Sequence, residues 1–169
     1  MPLILVNRNR KPMSSEKTAQ YDLLLQQAQA LIADEPDVIA NMANLSALLY
    51  NSLPQLNWAG FYIMREGELV LGPFQGQVAC VRIAVGKGVC GTAVATGEVQ
   101  LVEDVHQFAG HIACDAASNS EIVLPLRIAG EVVAVLDIDS PQLARFDNID
   151  KQYLMQLVVL FEQKLSLPL

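Results

Sequence analysis

The hydrophobic positions in the first third of the chain recur at helical spacing and predict two amphipathic helices. Ser15, with Thr18 as an alternative, is a suitable N-cap for the first helix. The run Asp34-Glu35-Pro36 ends that helix and begins the second, which Pro54 closes. The apolar positions are Tyr21, Leu24, Leu25, Ala28, Leu31 and Ile32 in the first helix, and Val38, Ile39, Met42, Leu45, Leu48 and Leu49 in the second.

From Trp58 onward the pattern takes the shorter period of β-strands. A tight turn at Glu66-Gly67-Glu68 joins two strands into a hairpin, and a second hairpin turns at Ile128-Ala129-Gly130. Between the hairpins the sequence predicts a short helix and a long polar loop. The predicted strands cover residues 58–64, 69–74, 78–85, 99–102, 121–126 and 131–138, the short helix 92–96, the loop 103–120 and a closing amphipathic helix 147–165.

This order of elements predicts an α+β domain in which helices pack on an antiparallel sheet. A chain of 169 residues is long enough for one domain with a substantial core. We expect that domain to cover residues 16–169. Residues 1–15 lack periodicity and are expected to be an extended or disordered lead. The hydrophobic content of 52% favours a homodimer formed through the first and last helices.

Charge and hydropathy narrow the classes of partner. The net charge is −7, and the lack of a basic stripe argues against nucleic-acid binding, because phosphate contacts supply most of that affinity. No apolar run approaches the roughly 20 residues of a membrane-spanning helix. In the first residues the basic side chains follow the apolar ones, which is the reverse of a secretory signal. We therefore expect a cytoplasmic protein without a membrane partner.

The three cysteines, Cys80, Cys90 and Cys114, are the main candidates for chemistry. In a cytoplasmic protein they are reactive thiols, inert core residues or metal ligands rather than a static disulfide framework. Cys114 lies on the polar loop, where it can meet a substrate. Cys90 lies near the start of the short helix, where the helix dipole is expected to lower its pKa. Position thus favours Cys114 as the nucleophile and local electrostatics favours Cys90.

Three acidic residues are predicted to converge near these thiols. Asp137 and Asp139 are two apart on one strand and so face the same way, and Glu121 begins the partner strand. Clustered carboxylates raise one another's pKa, so one can stay protonated near neutral pH while another accepts a cation. The alternative is that the aspartates lie at a solvated strand end and cap a turn.

Two aromatic residues and a histidine complete the candidates. Trp58 and Tyr62 share a strand face and are either core residues or the wall of a pocket. His111 and Cys114 have a spacing found among metal ligands, but the paired short spacings of structural zinc sites do not occur, and we expect no metal. The main-chain amides of residues 118–120 are candidates for binding an anionic group.

Five segments of the chain resemble the GAF fold and, within it, the free methionine-(R)-sulfoxide reductase family. They are Asn57-Trp58-Ala59-Gly60-Phe61-Tyr62, Leu71-Gly72-Pro73-Phe74-Gln75-Gly76, Gly86-Lys87-Gly88-Val89-Cys90-Gly91, the loop from His111 through Cys114 to Glu121, and Leu136-Asp137-Ile138-Asp139-Ser140-Pro141. Together they span residues 57–141 and include all three cysteines.

The resemblance implies a GAF-like fold and the thiol-dependent reduction of the R epimer of free methionine sulfoxide. Attack by Cys114 would be followed by a disulfide with Cys80 or Cys90, between which the sequence does not choose. Glu121, Asp137, Asp139, Trp58 and Tyr62 would bind the substrate. The implied reductant is thioredoxin or a similar donor, and no tightly bound cofactor is required. The alternatives are a GAF module that senses a small molecule and a dimeric scaffold with incidental thiols.

Overall fold

The structure, a computed structural model, describes residues 14–112, 114 and 116–169. A six-stranded sheet with the order β3-β2-β1-β6-β5-β4 forms its centre. Every paired neighbour in this sheet is antiparallel. The strands are β1 (Trp58–Arg65), β2 (Glu68–Gly76), β3 (Arg82–Ala84), β4 (Gln100–Val102), β5 (Ser120–Ile128) and β6 (Glu131–Ser140).

Helices cover both faces of the sheet. On one face, α1 (Ser14–Ile32), α2 (Val38–Ser52) and α4 (Asn148–Glu162) bury their apolar sides against the strands. On the other face, α3 (Gly88–Thr96) and a 3₁₀ turn (Val105–Gln107) pack on the sheet and form a smaller hydrophobic cluster with it. The predicted α+β class, with helices packed on an antiparallel sheet, is confirmed.

The helix boundaries follow their capping residues. α1 begins at Ser14, one residue before the predicted cap. The N-cap of α2 is Asp37, whose side chain accepts a hydrogen bond from the Ala40 amide at 2.8 Å, so Pro36 precedes the helix instead of forming its first turn. α4 begins after Asp147, which forms a reciprocal capping box with Asp150. Pro36 thus lies directly before the N-cap of α2, close to the predicted start of that helix.

A buried ionic cluster joins α4 to α1. Asp150 is fully buried and accepts hydrogen bonds from Lys17 Nζ at 2.5 Å and from Tyr21 Oη at 2.6 Å. Its second cationic partner is Arg145, whose Nη1 lies 3.3 Å from Asp150 Oδ1. Lys17 and Arg145 are each 3% exposed, so this carboxylate compensates two charges that water does not reach.

The chain between β2 and α3 differs most from its prediction. Residues 78–85 were expected to be one strand, but the strand covers only Arg82–Ala84, with one further main-chain hydrogen bond from Leu71 of β2 to the Val81 carbonyl. Val78 is 85% exposed, and Cys80 lies in an irregular connection. Two side chains of β1 form hydrogen bonds to the main chain of this connection. Trp58 Nε1 donates to the Gln77 carbonyl, and Tyr62 Oη donates to the Cys80 carbonyl. The predicted strand was therefore too long.

The short helix and the loop also have different bounds from those predicted. α3 begins at Gly88 instead of Thr92, so Cys90 lies within the helix. Ser120 already belongs to β5, and the loop before it contains the 3₁₀ turn.

Three sequence predictions concern surfaces or termini. Within the described residues, no helix combines the length and the hydrophobicity needed to cross a bilayer. Helices α1 and α4 expose Leu23, Met155 and Val159, and the homodimer stays a prediction. Residues 1–13 of the expected lead lie outside the described residues, whereas Ser14 and Ser15 are helical.

Candidate active site

A pocket lies on the face of the sheet that carries α3, between the start of that helix and the loop after the 3₁₀ turn. The loop packs directly on the helix, since a Cβ atom at Gly88 would lie 3.3 Å from the side chain of Ile112. Gly88 has a φ of +61°, a conformation that favours glycine. The lining includes all the site residues predicted from sequence except Cys80, namely Trp58, Tyr62, Cys90, Cys114, Glu121, Asp137 and Asp139.

The sheet register brings the three carboxylates together. Glu121 on β5 lies opposite Asp139 on β6, and Asp139 in turn lies opposite Trp58 on β1. Asp137 is two residues earlier on β6 and therefore shares this face. Glu121 is 6% exposed and Asp137 is 5% exposed. The alternative interpretation placed Asp137 and Asp139 at a solvated strand end; Asp137 is buried and Asp139 is half-buried, which argues against it.

Burial dominates the electrostatics of these acids. It raises the pKa of Glu121 well above its usual value, and the negative charges of Asp137 and Asp139 raise it further. Burial also raises the pKa of Asp137, but hydrogen bonds from Glu121 and Cys90 partly offset that rise. The interaction between the two acids raises the pKa of Glu121 and lowers that of Asp137, so Glu121 retains a proton more readily than Asp137 does. The site thus holds two adjacent acids whose environments shift their pKa values unequally.

The cysteines divide into a bonded pair and a single thiol. Cys80 and Cys114 form a disulfide with their Cα atoms 5.4 Å apart, and both residues are half-buried. Cys90 is a free thiol that is 3% exposed. The bond joins the irregular connection after β2 to the polar loop, two segments separated by 34 positions in the sequence.

The expected low pKa of Cys90 is not what the structure gives. Cys90 is the third residue of α3, as near the helix start as predicted. Nevertheless burial raises the pKa of its thiol well above the ordinary value, and the charges of Asp137, Glu121 and Asp139 add to the rise. Desolvation and three nearby acids outweigh the dipole of a short helix. The electrostatic argument for Cys90 as the nucleophile was therefore wrong.

The two predicted aromatic residues form the wall of the pocket and hold the Cys80 segment. Trp58 stacks on Phe74 and on Tyr62, with ring centroids 5.1 Å and 5.8 Å away. Gly60 makes the first stack possible, because a Cβ atom there would lie 2.3 Å from the Cβ of Phe74. Tyr62 Oη donates to the Cys80 carbonyl at 2.9 Å. The Tyr62 hydroxyl thus contacts the disulfide segment.

The further residues of the pocket lining include two with basic side chains, His111 and Lys87, and sequence reasoning missed Lys87. His111 lies in the polar loop, and burial lowers its pKa, with a smaller contribution from His106. Lys87 is exposed at the N-cap of α3, and it adds a cation at the rim of an otherwise acidic pocket. The signal that could have identified it is its position between two glycines immediately before a helix start.

The potential metal ligands are not the ones that the spacing suggested. Among the described residues, the group close enough to share an ion is Cys90, Glu121 and Asp137, whose ligand atoms all lie within 4.8 Å of one another. His111, considered from its spacing to Cys114, is not part of this group.

Comparison with known proteins gives consistent matches over most of the chain. The GAF domain family matches residues 40–165. A Bacillus subtilis (strain 168) protein, YtsP, is 61% identical over 155 residues, which cover 90% of this chain and 95% of the relative. The free methionine-R-sulfoxide reductase of Escherichia coli (strain K12) is 57% identical over 150 residues, which cover 89% of this chain and 91% of that protein.

A solved structure extends the similarity to three dimensions. The X-ray structure of the free methionine-R-sulfoxide reductase from Neisseria meningitidis, in complex with its substrate, superposes with a TM-score of 0.86 at 45% identity. The match covers 90% of this chain and 92% of that one.

Proposed function

We propose a function on the premise that this chain belongs to the GAF domain family and, within it, to the free methionine-R-sulfoxide reductases. The chain is an oxidoreductase that acts on sulfur, and its reaction is the reduction of free L-methionine-(R)-sulfoxide to L-methionine. The observation that carries the proposal is the Cys80–Cys114 disulfide at a pocket lined by Glu121, Asp137 and Asp139.

The first step is attack by the reduced Cys114 on the sulfoxide sulfur. Cys114 lines the pocket and is half-buried, whereas Cys90 has a raised pKa and stays protonated. The sulfoxide oxygen must be protonated as its bond to sulfur weakens, and Glu121 lines the pocket with a raised pKa that favours its protonated form, which suits it to supply that proton. The attack forms a transient bond between Cys114 Sγ and the sulfoxide sulfur. That bond and the substrate sulfur–oxygen bond then break as the protonated oxygen becomes bonded to Sγ, so methionine leaves and Cys114 becomes a sulfenic acid.

The second step forms the disulfide. The reduced Cys80 thiol attacks Sγ of the Cys114 sulfenic acid, a sulfur–sulfur bond replaces the sulfur–oxygen bond, and water leaves. The Cα separation of 5.4 Å in the bonded pair supports Cys80 as the resolving residue. Overall, two thiols and one sulfoxide give one disulfide, one methionine and one water.

The same pocket contains groups suited to the rest of a free amino acid. Asp137 and Asp139 provide negative charge for the ammonium group, and Trp58 provides an apolar surface for the methyl and methylene groups. Lys87 and the main-chain amides at the start of α3 are candidates for the carboxylate, in addition to the loop before β5.

Regeneration requires reduction of the disulfide by an external dithiol. Cys80 and Cys114 are both half-buried, which supports exchange with thioredoxin or a protein of similar chemistry. Such a donor fits a cytoplasmic location, and no tightly bound cofactor takes part in the cycle.

A single-turnover experiment tests the proposal. The pre-reduced protein is incubated separately with the R and S epimers of free methionine sulfoxide, without reductant, and methionine and remaining thiols are counted. We expect about one methionine formed and about two thiols lost per chain with the R epimer alone. Peptide mapping after alkylation should find Cys90 still reduced and Cys80 joined to Cys114.

Adding thioredoxin, its reductase and NADPH should convert the single turnover into continuous turnover. A Cys114→Ser variant should form no methionine, whereas the exposed and distant Glu131→Gln variant serves as the matched control and should react like the parent. Absence of methionine and of thiol loss with both epimers would reject the enzymatic proposal and favour a ligand-sensing GAF module.

A further inference from the structure

The proposed reaction leaves one reactive group of the pocket without a role. Cys90 is a thiol at the pocket floor and is not part of the disulfide. It lies beside Glu121 and Asp137, and the three residues are each at least 94% buried. Their ligand atoms, one sulfur and two carboxylate oxygens, all lie within 4.8 Å of one another.

The carboxylate of Asp137 indicates that this group lacks a ligand. Asp137 is 5% exposed, and its Oδ1 atom has no hydrogen-bond partner among the described residues. A buried carboxylate oxygen without a partner is costly. Moreover, none of the salt bridges found within the described residues involves Glu121 or Asp137, so these bridges pair neither acid with a cationic side chain.

We propose that the pocket floor is a binding site for a thiophilic divalent cation such as Zn²⁺, coordinated by Sγ of Cys90 and by carboxylate oxygens of Glu121 and Asp137. Zinc binds sulfur at about 2.3 Å and carboxylate oxygen at about 2.0–2.2 Å, so atoms already within 4.8 Å reach these distances by small side-chain rotations. Three protein ligands leave the fourth tetrahedral position open toward the pocket.

The three ligand atoms determine which metal ions the site would bind. A thiolate is a soft ligand that favours Zn²⁺ and Co²⁺, whereas Mg²⁺ and Ca²⁺ require six or more oxygen ligands and do not match one sulfur and two carboxylates. On binding, the Cys90 thiol and the Glu121 carboxylic acid release their protons to solvent. The ion then occupies the negative region that the proposed function gives to the substrate ammonium, so it excludes the substrate.

The disulfide form of the protein gives the clearest test. The chain has three cysteines, so when Cys80 and Cys114 are bonded, Cys90 is the remaining thiol. The oxidised protein is titrated with Co²⁺, and the thiolate-to-cobalt charge-transfer absorption is recorded. We expect a saturable band at one ion per chain, displaced by Zn²⁺ and unaffected by excess Mg²⁺ or Ca²⁺.

Variants then assign the ligands. Cys90→Ser should abolish the band, and Asp137→Asn should weaken binding by about tenfold or more. The control Glu131→Gln also removes one negative charge, but from an exposed site, and should bind like the parent. Far-UV circular dichroism and urea unfolding establish that each variant is folded. Absence of the band in the parent, or a band that persists in folded Cys90→Ser, would overturn the site.

A kinetic measurement separates this inference from the proposed function. Metal binding itself is independent of the proposed function, whereas inhibition of the reaction by the metal rests on it. With the reductase assay, Zn²⁺ should raise KM for the sulfoxide and leave kcat unchanged in the parent. If the protein binds Co²⁺ through Cys90 but reduces no sulfoxide, the metal site stands and the proposed function fails. If it reduces sulfoxide but gives no cobalt band, the proposed function stands and the metal site fails.

Discussion

The hydrogen bond between Tyr62 and Cys80 makes a prediction that separates the two chemical steps. Tyr62 Oη donates to the Cys80 carbonyl at 2.9 Å, and the ring is 2% exposed and stacked on Trp58. A Tyr62→Phe substitution removes the hydroxyl and keeps the ring in its packing. The change therefore frees the segment that carries the proposed resolving cysteine without removing the wall of the pocket.

The size of the effect follows from the type of hydrogen bond. A neutral hydrogen bond contributes about 0.5–1.5 kcal/mol net, and about 1.4 kcal/mol corresponds to a factor of ten. If the hydroxyl holds Cys80 ready for attack, its loss should slow disulfide formation by about twofold to tenfold. Attack by Cys114 does not use this contact, so methionine should form at nearly the parental rate.

Rapid-quench single-turnover kinetics measure both steps in one experiment. Methionine is quantified directly, and the Cys114 sulfenic acid is trapped with dimedone at each time point. In Tyr62→Phe the sulfenic acid should accumulate and decay slowly. Tyr153→Phe, which removes a hydroxyl from a tyrosine stacked on Tyr21 behind the sheet, is the matched control. Equal slowing of both steps, or unchanged sulfenic acid decay, would refute the positioning role.

Three further predictions concern the thiols, the buried acid and the ionic cluster. Cys80→Ser should release about one methionine per chain and then stop even with thioredoxin present; sustained turnover measured by NADPH oxidation would exclude Cys80 as the resolving residue. Because its raised pKa keeps Glu121 protonated to a higher pH than an ordinary glutamate, kcat/KM should fall as pH rises through that pKa. The pH profile of Glu121→Gln should lack this fall, and an unchanged fall would assign it to another group. Asp150→Ala should lower the free energy of unfolding by about 3–5 kcal/mol in urea titrations, because Lys17 and Arg145 lose their buried counter-charge; a loss below about 1 kcal/mol would contradict that account.

Local periodicity was enough to predict most of the fold, because the core residues follow it. Leu24 and Ala28 on α1 are buried as their helical spacing indicates. The same spacing also included Leu31 and Ile39, which are 41% and 46% exposed, since the edge of an apolar helical stripe is not fully covered by the sheet. Hydrophobicity alone also predicted a strand through Val78, where side-chain hydrogen bonds hold the chain in another conformation.

The sequence was sufficient to predict that the three carboxylates lie together, but it was not sufficient to predict which cysteines pair or the pKa of Cys90. The two-residue period of a strand places Asp137 and Asp139 on one face, and the hairpin turn brings Glu121 opposite. The pairing of Cys80 with Cys114 joins two irregular segments, for which no period exists. The pKa of Cys90 depends on acids from β5 and β6, which are distant in sequence from α3.

Burial of Cys90 also explains how a third cysteine can lie near the Cys80–Cys114 pair without competing with it. A thiol that is 3% exposed and has a raised pKa is almost entirely protonated at neutral pH, and only the thiolate attacks sulfur or reacts with oxidants at a useful rate. Cys80 and Cys114 are half-buried, which is consistent with the contacts to substrate and protein reductant that the proposed function requires. Burial raises the pKa of both Glu121 and Cys90, so in the proposed cycle the same environment favours a protonated acid and keeps Cys90 out of the redox steps. A metal ion reverses this protection, because it replaces the proton and stabilises the thiolate.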